Sequence, residues 1–308
     1  MPVELLQDRV NVFDLKLETQ ERLLGLEDIL GDTEVVRRKL IEYVSQPFNQ
    51  QADMYDYIRK AYTAVTLKTL FPESLDQVDL SQFRQNIINY IGVSRRSYQN
   101  SAHHGPTSYS DYLDNWAQSF QITKALFPDS QEIASNEYQL KSVLSTRWDV
   151  LRGRPIQDFA NIYYYLFYPY FLKVLFGKED LFRNQEEENK LKEDALKGIG
   201  DSLGNSPLVG GVFEYKSILL HLKRFRVLFP DISTYDIISS DHWDRIKYLK
   251  NINENDAVVG PLYSYFDLVE HMALVFAPKI KIKDGLVLPD FDQGFETPEK
   301  PLPERRKY

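Results

Sequence analysis

VTLKTLFPESLDQVDLSQF (residues 65–83) carries the signal that organises the whole chain. A helical stretch runs into Leu70-Phe71, then meets Pro72, an acid and a serine. The pattern recurs in QITKALFPDSQEIASNEYQL (residues 121–140) and in KRFRVLFPDISTYDIISSDHW (residues 223–243). Proline has no amide hydrogen and clashes with the preceding turn, so Pro72, Pro128 and Pro230 each stop a helix. The Leu–Phe pair folds back onto that helix or its neighbour. The acid and hydroxyl residues that follow suit a turn and the start of the next helix. In each copy a basic residue lies two or more positions before the Leu–Phe pair. Two degenerate copies, LKVLFGKEDL (residues 172–181) and MALVFAPKIKI (residues 272–282), bring the spacing to about 50 residues, within reach of helical-pair repeats.

Outward from these stops, glycine and proline are sparse and apolar residues recur at helical spacing. A first helix is expected over Leu15–Leu30, ended by Gly31-Asp32. Asp32 or Thr33 caps a second, with Val35, Val36, Leu40 and Val44 as its apolar stripe, and a third covers Ala52–Leu70. Two loops are expected: the polar Ser94–Ser110 segment and the glycine-rich Gly198–Gly211 segment, the latter after a charged outer helix, FRNQEEENKLKEDALK. KIKIKDGLVL (residues 279–288) alternates lysine and isoleucine, turns at Asp284-Gly285 and continues in an apolar run, which is a hairpin pattern. The remaining tail is rich in proline and charge and cannot bury enough surface to fold alone.

The expectation is therefore a mainly α protein: a multi-helix array of helix–loop–helix units with a short C-terminal β-hairpin and an extended tail. Its divisions are an N-terminal helical region (1–197), a glycine-rich loop (198–211), a C-terminal helical region (212–278), the hairpin (279–290) and the tail (291–308).

Of the 308 residues, 43% are hydrophobic and 27% charged, which supports a core under a solvated surface. With no cysteine, thiolate catalysis, disulfides and cysteine-held metals are excluded. A net charge of −8 disfavours broad nucleic-acid binding. Phe159–Gly177 is long enough to suggest a membrane span. Its five tyrosines, with Asn161, Pro169 and Lys173, point instead to a buried central helix, and a membrane partner is disfavoured.

Chemistry-bearing clusters are few. His103 and His104 sit in a polar segment, and His242 follows the third Leu-Phe-Pro unit. GIGDSLG (residues 198–204) lacks the Lys-Ser/Thr of a phosphate loop. In FDLVEHMALVF (residues 266–276), Asp267 and His271 share a helix face with Glu270 between them, as metal ligands or an acid–base pair require. Tyr163, Tyr164, Tyr165, Tyr168 and Tyr170 surround one helix, so some rings must meet another element or another chain. With the tail residues Pro298, Pro301, Pro303, Arg305 and Arg306 they form the candidate partner surface.

The leading expectation is a non-enzymatic structural or assembly protein. It works through other protein chains as a homo- or hetero-oligomer, without a cofactor, in the cytoplasm or in a particle assembled there. A tail, neck or baseplate subunit of a phage or injection machine, or a cellular scaffold, would fit. The alternative is a helical enzyme or a ligand- or metal-binding domain with its site near Asp267, Glu270 and His271. A third reading, nucleic-acid association, would use Arg95, Arg96, Lys223, Arg224 and Arg226.

Overall fold

The computed structural model describes residues 31–48, 54–101, 106–152, 154, 159–205, 212–232, 238, 242, 262–277 and 279–291. The described elements are mainly helical. They comprise α1 (Thr33–Ser45), α2 (Met54–Leu70), a 3₁₀ turn (Pro72–Gln77), α3 (Ser81–Asn100), α4 (Pro106–Leu126) and α5 (Gln131–Leu151). Then follow α6 (Phe159–Phe176), α7 (Gln185–Asn205), α8 (Val212–Leu228), α9 (Leu262–Phe276), and the hairpin strands β1 (Lys279–Lys283) and β2 (Leu286–Asp290).

Asp32 opens α1 as expected, its carboxylate accepting from the amides of Glu34 and Val35 at 3.0 and 3.2 Å. That satisfies two of the donors left over at a helix start. Val36, Leu40 and Val44 are its buried stripe.

The Leu–Phe stops share one geometry. The amides of Phe71, Phe127 and Phe229 close the last helical turn on Leu67, Thr123 and Phe225 at 2.7–2.8 Å. The carbonyls of the same phenylalanines then accept from Ser74, Ser130 and Ile232 at 2.9–3.3 Å, turning the chain while the proline between supplies no donor. The degenerate copies also end helices: Gly177 donates to Lys173 and Ala277 to Ala273, each at 3.0 Å. Gly177 takes φ 60°, the left-handed conformation that ends a helix without steric penalty in glycine.

The helices so ended, α2, α4, α6, α8 and α9, stand side by side as a ring. Tyr62 meets Gln118 and Lys68 meets Ala125, so α2 and α4 advance together. Asp114 meets Tyr163 and Lys124 meets Leu175, carrying the same direction to α6. On the other side Lys216 meets Asp267 and Arg226 meets Leu274, so α8 and α9 are parallel. α6 packs on α8, and α9 on α2, to close the circle. The basic residue of each full copy reaches the carbonyl end of a neighbouring inner helix. Lys68 donates to Ala125 O at 2.5 Å, Lys124 to Leu175 O at 2.6 Å, and Arg226 to the carbonyls of Leu274, Val275 and Ala277. A cation there also meets the negative end of the helix dipole. The helices α1, α3, α5 and α7 alternate with the inner ones in sequence and pack against them from outside.

The hairpin forms with its predicted turn. Asp284 and Gly285 both take positive φ (52° and 77°), the two-residue turn whose twist matches an antiparallel pair. β2 lies against α2, α6 and α9, and Gln121 of α4 donates to the Gly285 carbonyl at 2.9 Å. The hairpin therefore covers the end of the ring where the inner helices terminate, with Leu286 and Val287 buried beneath it.

Two expected loops are shorter than the sequence suggests. α3 continues to Asn100 because Ile91, Ser94 and Tyr98 extend its buried stripe, Tyr98 stacking near Trp116. α7 runs through Gly198 and Gly200 to Asn205 and so crosses the expected division at 197/198. Gly198 is there for approach rather than for a turn: a Cβ would sit 1.9 Å from Ile162 Cδ1 on α6. The expected Leu15–Leu30 helix and the tail from 292 lie outside the described residues. α6 is an interior helix, and none of the described helices is long and apolar enough to cross a membrane.

Candidate functional site

The ring encloses a cavity of about 350 Å³. Its apolar wall comes from Ile58 and Val65 of α2, Ile122 of α4, Phe171 of α6, Leu220 of α8, and Leu286 and Val287 of β2. Its polar wall is charged. Lys216 and Lys223 lie on one side of α8, as the spacing of seven residues requires, and face Asp267 and Glu270 on α9. Lys216 pairs with Asp267. Lys223 pairs with Glu270 at 2.7 Å, and Glu270 also accepts from Thr66 at 3.0 Å.

Arg224 is held differently. Only 2% of the residue is exposed, yet no carboxylate pairs with it. Its guanidinium lies 4.4 Å from the Tyr163 ring centre, 5.2 Å from that of Phe167 and 5.9 Å from that of Tyr170. Nη2 donates weakly to the Tyr163 hydroxyl at 3.5 Å. Nε and Nη1 are buried without a hydrogen-bond partner. The Tyr163 hydroxyl itself donates to Asp114, which also accepts from Gln118 at 2.6 Å, and Gln118 accepts from Tyr62.

Burial sets the protonation states. It raises the Tyr163 and Tyr62 hydroxyls above their ordinary range, with Asp114 adding to the effect, so both remain donors. Burial also raises Asp267, against the opposing pull of Lys216. It pulls Lys223 down, but the Glu270 carboxylate outweighs it, so the net shift is upward and the ammonium stays charged. His271 is pushed well below its usual value by burial, then by the cations Lys223, Lys216 and Arg224. Burial lowers His221 to about 4; its Nδ1 sits 2.6 Å from the Ser217 carbonyl. Both rings are neutral at pH 7.

Asp267, Glu270 and His271 thus do line one site, as their helix spacing predicts. Their surroundings differ from a metal centre: both carboxylates face ammonium groups, and the described residues contain no group of three or more His, Asp or Glu able to hold an ion. The basic residues grouped from sequence do not share a surface. Arg95 is half-buried and Arg96 exposed on α3, Lys223 and Arg224 point into the ring, and Arg226 serves the end of α9. The tyrosines of α6 are turned inward as well. Tyr165, Tyr168 and Tyr170 are buried, and Tyr163 and Tyr164 pack half-buried on the core. Tyr163 meets Asp114 of α4 and Arg224 of α8. Pro298, Pro301, Pro303, Arg305, Arg306, His103 and His104 lie outside the described residues.

Sequence reasoning missed Arg59, Tyr62, Thr66, Gln118 and Lys216. The available signal was unusual polarity on inner helices: α2 interrupts its buried face with Thr63, Thr66 and Thr69. No family model, no characterised protein and no solved structure matches the chain.

Proposed function

We propose that the protein is a helical small-molecule-binding domain whose ligand occupies the cavity at the centre of the inner ring. The observation that supports this reading is the cavity itself. Its volume, about 350 Å³, lies in the range of ligand pockets, and five helices from across the chain contribute to its wall. A mostly apolar lining with a few fixed polar groups is the composition that binds and orients an organic molecule. The ion pairs Lys216–Asp267 and Lys223–Glu270 hold the polar side in place, so a ligand meets a preformed surface. The hairpin covers one end. Arg59 and Lys216, the more exposed charged groups of the wall, mark the mouth toward the N-terminal parts of α2 and α8.

The test uses N-phenylnaphthylamine, a neutral probe that fluoresces on leaving water. The wild-type protein is expected to bind it saturably. Leu220→Trp fills the cavity from α8 and is expected to abolish binding while the helical circular dichroism spectrum is kept; Leu220→Phe should weaken it. No saturable binding by the wild type, or binding undiminished from wild type in both variants, would overturn the proposal.

A further inference from the structure

The unpaired cation in the cavity wall specifies the charge of the ligand. Burying a guanidinium is unfavourable unless its donors and its charge are answered. Three rings answer part of the charge, and the Tyr163 hydroxyl accepts one weak hydrogen bond. Nε and Nη1 of Arg224 are left without acceptors, on a residue that lines the cavity and is 2% exposed. The other charges of the enclosed wall cancel as Lys216 with Asp267 and Lys223 with Glu270. Arg59, at the mouth, pairs with Asp56. Asp114 reaches Arg224 through the Tyr163 hydroxyl, which lies between them.

Because Arg224 is buried with two donors unanswered and no carboxylate in direct contact, we infer that the cavity takes an amphipathic monocarboxylate, with its carboxylate on Arg224 and its apolar body against Phe171, Leu220 and Val287. Arginine is the side chain best matched to carboxylate and phosphate oxygens. A single guanidinium favours the carboxylate, because a phosphate monoester brings close to two negative charges and more acceptors than Arg224 alone can meet. A cationic ligand would meet an uncompensated guanidinium in a medium that screens poorly. This inference rests on the ligand-binding reading and narrows it.

Calorimetric titration of the full chain separates the two. The ligands are straight-chain carboxylates from butanoate to dodecanoate, with the matched alcohols, amines and alkyl phosphates. Carboxylates are expected to bind at least about tenfold more tightly than alcohols of equal length, the amount a charge-assisted hydrogen bond supplies. Amines should bind most weakly. Arg224→Gln should remove the preference for carboxylate over the alcohol of equal length; Arg224→Lys should retain part of it. If alcohols or amines bind as well as carboxylates, the ligand-binding reading stands and the inference of charge falls. If alkyl phosphates bind more tightly than carboxylates, the choice of carboxylate falls. If no amphiphile binds, the underlying reading falls with it. Should Arg224→Gln fail to fold, the wild-type ranking with Arg224→Lys still decides: no carboxylate preference in the wild type, or an undiminished one in Arg224→Lys, overturns the inference.

Discussion

Replacing Lys223 by methionine removes one charge, keeps most of the length of the side chain and leaves Glu270 buried among helices. The two side chains are 12% and 11% exposed, and their charged atoms are 2.7 Å apart. At that distance, with an effective dielectric of about 20, the attraction is about 6 kcal/mol. Desolvating both groups offsets several kcal/mol of this, so the intact pair adds little net stability. The single variant is another matter. The Glu270 carboxylate keeps its desolvation penalty and loses its cation, retaining only the Thr66 hydroxyl as a donor. Lys223→Met is therefore expected to destabilise by about 3–5 kcal/mol at pH 7. The double variant Lys223→Met/Glu270→Leu is expected within about 2 kcal/mol of wild type, because the buried charge is gone from both sides. Urea unfolding followed by circular dichroism gives each midpoint and slope, and the double-mutant cycle gives the coupling. Additive effects, or a loss below about 1 kcal/mol in Lys223→Met, would refute the claim that these charges face each other away from water.

Acid should destabilise the protein through its buried histidines. His221 falls from an ordinary 6.5 to about 4 in the folded chain, so the unfolded state binds the proton first. The loss of stability from this group begins below pH 6.5, grows as the pH drops, and amounts to about 3 kcal/mol near pH 4. His271 shifts in the same direction; Asp267, raised by burial, opposes both in the carboxylate range. His221→Phe should flatten the fall in stability between pH 6.5 and 4, as read by thermal unfolding at a series of pH values. Arg226→Met strips the donor from three carbonyls at the end of α9, and a loss of about 2–3 kcal/mol in the urea midpoint is expected. Gly198→Ala gains helix propensity worth about 1 kcal/mol but collides with Ile162. A net loss of about 1–2 kcal/mol is expected. Ile162→Val in the same chain should restore part of it, and failure to do so would separate Gly198 from that contact.

The helical architecture was legible because its decisive signals are local. Asp32 caps α1 whatever surrounds it, and each Leu–Phe stop closes a helix by a bond within its own turn. The ends of α3 and α7 were not legible, because tertiary packing overrode local preference. Tyr98 holds a polar stretch helical against Trp116, and Gly198 reads as a loop residue until Ile162 is seen beside it. The site was half visible. Asp267, Glu270 and His271 share a face through helix spacing alone, whereas their partners on α8 lie some 50 residues away in sequence. Lys223 and Arg224 read as surface charges because charged residues usually are. What marked them was their setting in LLHLKRFRVLF (residues 219–229), a run whose Leu219, Leu222, Phe225 and Leu228 leave little room for a solvated face.

The contact between Thr66 and Glu270 joins residues 204 apart, and β2 must then lie across helices laid down near the start of the described chain. During synthesis, α2 is finished long before the residues that complete its circle have been made. Nascent chains stopped before Leu262 would hold an unclosed arc with Val65 and Ile122 open to water. Such topology slows folding through the entropy of long-loop closure. Binding competence should therefore emerge in a single late event, when the hairpin seats, rather than in increments as each helical pair appears.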